Sequence, residues 1–231
     1  MYDIRFYSGD YLERQQKANA DNCNAYIEHH FNSCTDPKVN YAVVITGANA
    51  SQTSKNWGRW YASAIAAEFG LPVGGREGIQ VGGFNGRGDY NLRFTKMPAI
   101  LLEPLFASNP VHADIIRSDA GQIKLARILA ESIRRFFQDG GRIGFSVGHK
   151  YKKSSPNDRG ADLVGGGTEA DYAEMVLHKA KSLLDEIKEP QQERSIRVIN
   201  GDKVVWAANI DMDAEVRWDP LRGALFIEGR A

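Results

Sequence analysis

Short apolar runs alternate with longer stretches of helical period along most of this 231-residue chain. Residues 2–7 (YDIRFY) alternate as a short strand, and residues 10–20 have helical spacing with Asp10 placed as N-cap. Residues 26–31 (YIEHHF) predict a second strand, followed by a turn-rich loop at 32–38. The β-branched run 41–46 (YAVVIT) predicts a buried strand closed by Gly47. A helix follows over 51–69, with Trp57, Trp60, Ala64 and Ile65 on one face and Gly70 as its C-cap. Residues 74–89 are glycine-rich and predict a loop holding a short strand near 79–81. Residues 99–102 predict another buried strand, and the spacing of Ile115, Ile116, Ile123, Ile128, Leu129, Ile133 and Phe136 predicts one long helix over 113–137.

The second half continues the alternation. Asp139-Gly140-Gly141 forms a turn into a strand at 143–147, a polar loop spans 150–167, and a helix runs over 168–187. Thr168 with Asp171 three residues on is a capping-box pattern that fixes the start of that helix. Residues 190–193 look like a linker, and 195–231 alternate as strands (IRVI, KVVWAANI, ALFIEG) around an Asn200-Gly201 turn. Strands interleaved with helices predict an α/β fold: a mainly parallel or mixed central sheet of about six strands with helices on both faces. The expected organisation is one domain over residues 1–190 and a small C-terminal β appendage over 195–231.

Composition narrows the function classes. Lys+Arg and Asp+Glu both number 29, so the net charge is zero and no long-range attraction to nucleic acid or an anionic membrane is expected. No apolar run approaches the ~18 residues of a membrane span. The opening MYDIRFYSGDYLERQQ is charged and alternating, unlike a secretory signal, so synthesis in the cytosol is expected. In that setting Cys23 and Cys34 are expected to be free thiols.

Three stretches carry candidate chemistry. The strand 143–147 runs into Gly148-His149, the strand 26–31 holds His29 and His30, and the apolar run 99–102 ends on Glu103. Ligands in sheets of this kind bind beyond the carboxyl ends of the strands, where all three fall. Adjacent strand residues point to opposite faces, so only one of His29 and His30 can join such a site. Two histidines and a glutamate can hold zinc and leave a position open, and a further carboxylate can move a proton. A carboxylate closing a strand as apolar as the one before Glu103 costs free energy unless it is paired or used. Glu169 lies in the first turn of its helix, where an acidic residue also suits the helix dipole, and Asp171 and Glu174 compete with it. His112 and His178 read as structural or exposed. Trp57, Trp60 and Tyr61 read as core, and Lys150, Lys152, Lys153 and Arg159 as either a solvated loop or contacts for an anionic substrate.

These residues resemble a known family. Gly148-His149, a polar loop, and Gly167-Thr168-Glu169 opening a helix resemble the zinc motif of the amidase-3 family of N-acetylmuramoyl-L-alanine amidases. His30-Phe31-Asn32 is similar to the end of that family's Ser-Ile-His-Ala-Asn segment, which favours His30 over His29. Residues 97–110 (MPAILLEPLFASNP) are similar to its PAVLVELGFLSNP stretch, the most specific of the three matches. The resemblance implies His30, His149 and Glu169 as zinc ligands, Glu103 as catalytic acid/base, and hydrolysis of the amide between N-acetylmuramic acid and L-alanine in peptidoglycan. The order departs from the family, in which the Gly-His strand and glutamate helix come first, so the expectation is a circular permutation. A wall-cutting enzyme made without a leader implies a phage endolysin or an autolysin acting at the cell wall. The competing readings are a zinc carboxypeptidase acting on stem peptides and a catalytically dead wall-binding module.

Overall fold

The computed structural model describes residues 1–185 in full and, beyond them, the backbone of strands within 194–229. Its contacts divide the chain into two units, Met1–Glu186 and Ile187–Ala231. In the first unit the order is β1 (Tyr2–Phe6), α1 (Tyr11–Ala20), β2 (Ala25–His29), β3 (Val43–Thr46), α2 (Gln52–Phe69), β4 (Ile79–Val81), β5 (Ala99–Glu103), α3 (Pro110–Arg117), α4 (Asp119–Phe136), β6 (Gly141–Val147) and α5 (Glu169–Asp185). The second unit holds β7 (Arg194–Asn200) paired antiparallel with β8 (Lys203–Ile210), and β9 (Ala214–Asp219) paired antiparallel with β10 (Ala224–Gly229). The linker expected at 190–193 and residue 201 of the expected turn lie outside the described residues.

The six strands of the first unit form one sheet in the order β1-β6-β2-β5-β3-β4. Strands β1, β6, β2 and β5 are mutually parallel, β3 runs antiparallel to β5, and β4 pairs parallel with β3. The sheet is therefore mixed, and β6, late in the chain, occupies a central position between β1 and β2. Its two faces differ. Ile4, Ile27, Val44, Ile100, Ile143, Phe145 and Val147 join the buried side chains of α2, α3, α4 and α5 in the larger core. Tyr7, Tyr26, Ile45, Ala99 and Leu101 turn to the other face, under Ala18 of α1 and Leu92, with Phe84 and Met97 packed alongside.

Local sequence explains most boundaries. Ser51 caps α2 by accepting from the Ser54 amide at 3.2 Å, and Gly70 closes it at φ 67°, a left-handed angle that costs glycine nothing. The single helix expected over 113–137 is two. Asn109 accepts from the amides of Val111 and His112 and starts α3 at Pro110. Ser118 then takes extended angles, accepts from the Gly121 amide at 3.0 Å, and starts α4. The apolar spacing runs through this break because both helices bury the same side, with Ile116 before it and Leu125 and Leu129 after it. A Cβ at Gly121 would strike the Ile115 carbonyl, so the corner needs glycine. Asp10 stands at the N-cap position of α1, but its carboxylate accepts from the amide and hydroxyl of Ser154 instead.

Candidate metal centre

The carboxyl ends of the parallel strands β2, β6 and β5 open on a cleft of ≈ 860 Å³. Glu103 is the last residue of β5, His30 follows the last residue of β2, and His149 lies two residues beyond β6. Period two puts Tyr26, Glu28 and His30 on the α1 side of the sheet and His29 on the other. His29 is fully buried there, its ring 5.0 Å from that of Phe31, with neither ring nitrogen bonded among the described residues. Burial holds its pKa down at about 3, so it stays neutral.

Glu169, the first residue of α5, brings its carboxylate to both remaining histidines. Its Oε1 stands 3.2 Å from His30 Nδ1 and 3.2 Å from His149 Nε2. Its Oε2 accepts from the Ala161 amide at 2.8 Å, which fixes the rotamer. One donor atom from each of His30, His149 and Glu169 lies within 4.8 Å of the others, so the three can serve one ion. The two imidazoles meet edge to face with centroids 4.9 Å apart. Two glycines make this closeness possible: a Cβ at Gly148 would strike the His30 ring, and one at Gly160 would strike the Glu169 carboxyl. His149 itself sits at φ 61°, a strained angle for a non-glycine residue that aims its ring back over the cleft.

Each histidine carries a second carboxylate on its far nitrogen. Glu28 Oε1 lies 2.8 Å from His30 Nε2, and Asp158 lies 3.0 Å from His149 Nδ1. Burial works against the charged form of His30, but Glu169 and Glu28 outweigh it and raise its pKa to about 10. Burial likewise opposes ionisation of Glu169, and the two histidines overcome it and hold the carboxyl down at about 2. Without an ion, protons on the imidazoles thus balance the buried carboxylates. Glu103 lines the same cleft and differs in kind. Its Oε2 is shut from solvent with no hydrogen-bond partner among the described residues, and burial pushes its pKa up to about 7. A carboxyl poised near neutrality at the mouth of a cleft suits proton transfer.

His112 accepts the Phe106 amide on Nδ1 and is structural, and His178 stacks on Phe6 at the surface. Trp57 and Tyr61 are fully buried, while Trp60 is half-buried. The basic loop residues are engaged within the protein. Lys150 pairs with Asp171 and Glu174, Lys152 with Asp158, Lys153 with Glu13, and Arg159 donates to the Pro156 and Asp158 carbonyls. Of the two readings of this loop, solvated or substrate-contacting, the pairing shows lysines already neutralised by carboxylates. Among the described residues Arg87 is the one lysine or arginine that lines the cleft. Sequence reasoning missed Arg87, Asp158, Glu28 and Arg14. Only Glu28 carried a signal: a carboxylate inside an apolar strand, two residues from His30 and hence on its face.

Comparison with known proteins matches the chain to a family. The family model of the N-acetylmuramoyl-L-alanine amidases of amidase-3 type matches residues 6–135, more than half of the chain. No curated protein matches. Solved structures similar to the chain include the catalytic domain of CwlV from Bacillus (Paenibacillus) polymyxa var. colistinus, at 25% identity and TM-score 0.46, covering 56% of this chain and 66% of that one. An N-acetylmuramoyl-L-alanine amidase from Clostridium difficile 630 is 20% identical at TM-score 0.48, covering 57% and 67%. Ami1 from Mycobacterium smegmatis is 21% identical at TM-score 0.45, covering 55% and 60%. The chain thus spans about two thirds of the length of these structures or less. By its family match, this chain is a member of the amidase-3 family of N-acetylmuramoyl-L-alanine amidases.

Proposed function

We propose that this chain is a zinc-dependent amidase that hydrolyses the bond between N-acetylmuramic acid and L-alanine in peptidoglycan. The observation that carries this reading is the meeting of His30, His149 and Glu169 beside Glu103, whose Oε2 is buried with no hydrogen-bond partner among the described residues. The donor set fits the ion: two imidazoles and a carboxylate are zinc ligands, and donors at ~2.0–2.1 Å around a tetrahedral zinc stand about 3.3 Å apart. Glu169 Oε1 stands 3.2 Å from each imidazole nitrogen. Bound there, zinc supplies Lewis acidity toward the scissile carbonyl and its attacking water.

The chain's own residues supply the rest. Glu103 takes the proton of the attacking water and hands it to the amine as it leaves, since an amide nitrogen departs only once protonated. The buried surroundings that raise the Glu103 pKa to about 7 suit it to both halves of that transfer near neutral pH. Arg87, in the glycine-rich loop over the cleft, is suited to meet a carboxylate of the stem peptide.

The reading extends to chain order and to place of action. The family match ends at residue 135, and the Gly-His strand and glutamate helix that complete the ligand set follow it. A circular permutation accounts for that order, and β6 lodged between β1 and β2 agrees with it. The enzyme then acts on the bacterial cell wall, as an endolysin or an autolysin. The test is product analysis on purified walls, with and without a chelator. A free lactyl carboxylate and a new L-alanine amine, both lost with chelator, are the expected products. Release of a C-terminal stem residue makes the chain a carboxypeptidase, and chelator-independent cleavage removes zinc from the reading.

A further inference from the structure

We propose that Glu28 is the positioning residue of this centre: it fixes the tautomer and plane of His30 so that Nδ1 presents its lone pair to the cation, with Arg14 as its buried counter-charge. The inference rests on the zinc reading above and concerns a residue that takes no part in the ligand set. Glu28 is fully buried in the middle of the sheet, paired in register with Ser146 of β6 and Leu101 of β5. Four side chains converge on its carboxylate. His30 Nε2 lies 2.8 Å and Asn91 Nδ2 2.5 Å from Oε1, while the Ser146 hydroxyl donates to Oε2 at 3.2 Å and the Tyr26 hydroxyl at 3.4 Å. A carboxylate only accepts hydrogen bonds, so the His30 nitrogen facing it must carry the hydrogen. Nδ1 faces a carboxylate as well, but Glu169 is itself a member of the ligand set, so a cation shared by the two would replace the hydrogen there and leave Nδ1 the bare nitrogen of a neutral imidazole.

Arg14 completes the device. It is fully buried on α1, and its guanidinium stands 3.8 Å from Glu28 Oε2. Its other donors reach the Gly9 carbonyl at 2.6 Å, the Ser146 hydroxyl at 2.7 Å, the Val147 carbonyl at 2.6 Å, and the Lys150 carbonyl. Val147 and Lys150 bracket Gly148-His149. One guanidinium therefore ties down the strained turn that carries His149 and balances the carboxylate that orients His30. A buried ion pair is a weak source of stability, because desolvation offsets its attraction. Aiming both imidazoles at one point is the better account of a charge pair held this deep. Asp158 stands in the same relation to His149 but is 27% exposed and shared with Lys152, so its hold on the ring is looser.

The test uses the full chain and zinc itself. Chelator competition reads the zinc dissociation constant of wild type, Glu28→Gln and Asp158→Asn, and unfolding in excess chelator reads their metal-free stability. Glu28→Gln is expected to weaken zinc binding by about 10–100-fold, the usual effect of losing a carboxylate behind a metal-bound histidine, and Asp158→Asn by less. A merely structural Glu28 lowers the metal-free midpoint and leaves the zinc constant within about twofold of wild type, and that result overturns the proposal. Long-range ¹H–¹⁵N NMR of zinc-loaded wild type asks the same question without a variant. A protonated Nε2 on His30 is expected, and coordination through Nε2 overturns the assignment. Wild type that takes up no stoichiometric zinc overturns the metal reading and this proposal together, whereas zinc bound equally by wild type and Glu28→Gln overturns this proposal alone.

Discussion

The two faces of the central sheet are built from the same strands and do opposite work. On the side of α2, α3, α4 and α5 the strands present Ile27, Val44, Ile100, Phe145 and Val147, all buried and all hydrocarbon. On the side of α1 the same strands present Glu28, His30, Ser146 and Glu103. Register couples the contrast, since Phe145 and Ser146 are neighbours on β6 and Leu102 and Glu103 on β5. Apolar burial returns ~25 cal/mol per Å² and needs no partner, so the first face supplies stability. The second spends part of that stability on buried charges and an unpartnered carboxyl. Substitutions on the two faces should therefore separate activity from stability.

The largest expected effect is on the α1 side. Glu103→Gln keeps the shape and removes the proton carrier, and should lower the rate of muropeptide release by about a thousandfold, within the span that positioned acid–base groups contribute. Its zinc content should match wild type, because Glu103 is outside the ligand set. Loss of zinc along with activity would make Glu103 a ligand rather than an acid/base. Phe145→Ala tests the opposite face. It empties a fully buried ring site that packs edge-on against Phe6, and should cost about 3–5 kcal/mol in denaturant unfolding. Activity per folded molecule should stay near wild type below the transition. An equal fall in both would show that the faces are not separable.

How much of this was legible beforehand follows the same divide. The apolar face announces itself through periodicity, so all six strands of the sheet and most helix ends were readable, and Gly70 and Thr168 marked boundaries by known local rules. The α3–α4 break was hidden because both helices keep one buried stripe, and only Ser118 and Gly121 mark the corner. That His30, His149 and Glu169 come together was readable from strand ends and from motif resemblance. Their supports were not. Arg14 looks like any helix arginine until α1 is laid on the sheet, and Asp158 sits in a loop with no period at all. Burial and convergence are tertiary facts, and the residues defined by them have no local signature.

The stability side of the contrast has a sharper test in pH. Burial raises the folded pKa of Glu103 to about 7 from 4.5, so its ionised form is disfavoured in the native state. The sign follows by linkage. Below about pH 4.5 the group is protonated folded and unfolded and costs nothing, and the penalty grows as pH rises through the folded value. In chelator, Glu103→Gln should thus stabilise the chain at pH 8 by about 2 kcal/mol, a value set below the full shift at 1.36 kcal/mol per pH unit because the side chain is partly exposed. At pH 5 the gain should shrink to a few tenths of that. Equal midpoints for the two proteins at pH 8 would show that the carboxyl is not penalised by its surroundings.

The smallest expected effect concerns the rim of the cleft, where the charged face meets solvent. Arg87 is exposed, lines the cleft, and makes no side-chain ion pair among the described residues, whereas Lys150, Lys152 and Lys153 are all held by carboxylates. A free cation beside the reacting groups is positioned to attract substrate, and a paired one is already neutralised. Arg87→Glu should raise KM by about tenfold with kcat nearly unchanged, the signature of binding shared by ground and transition states. Lys153→Glu, which loses only its surface pair with Glu13, should leave KM alone. The contrast between the two should disappear on muropeptides whose stem carboxylates are amidated, because the anion that Arg87 would meet is then gone. If Arg87→Glu lowers kcat instead, its charge acts on nearby Glu103, on whose ionisation it already bears, and not on the substrate.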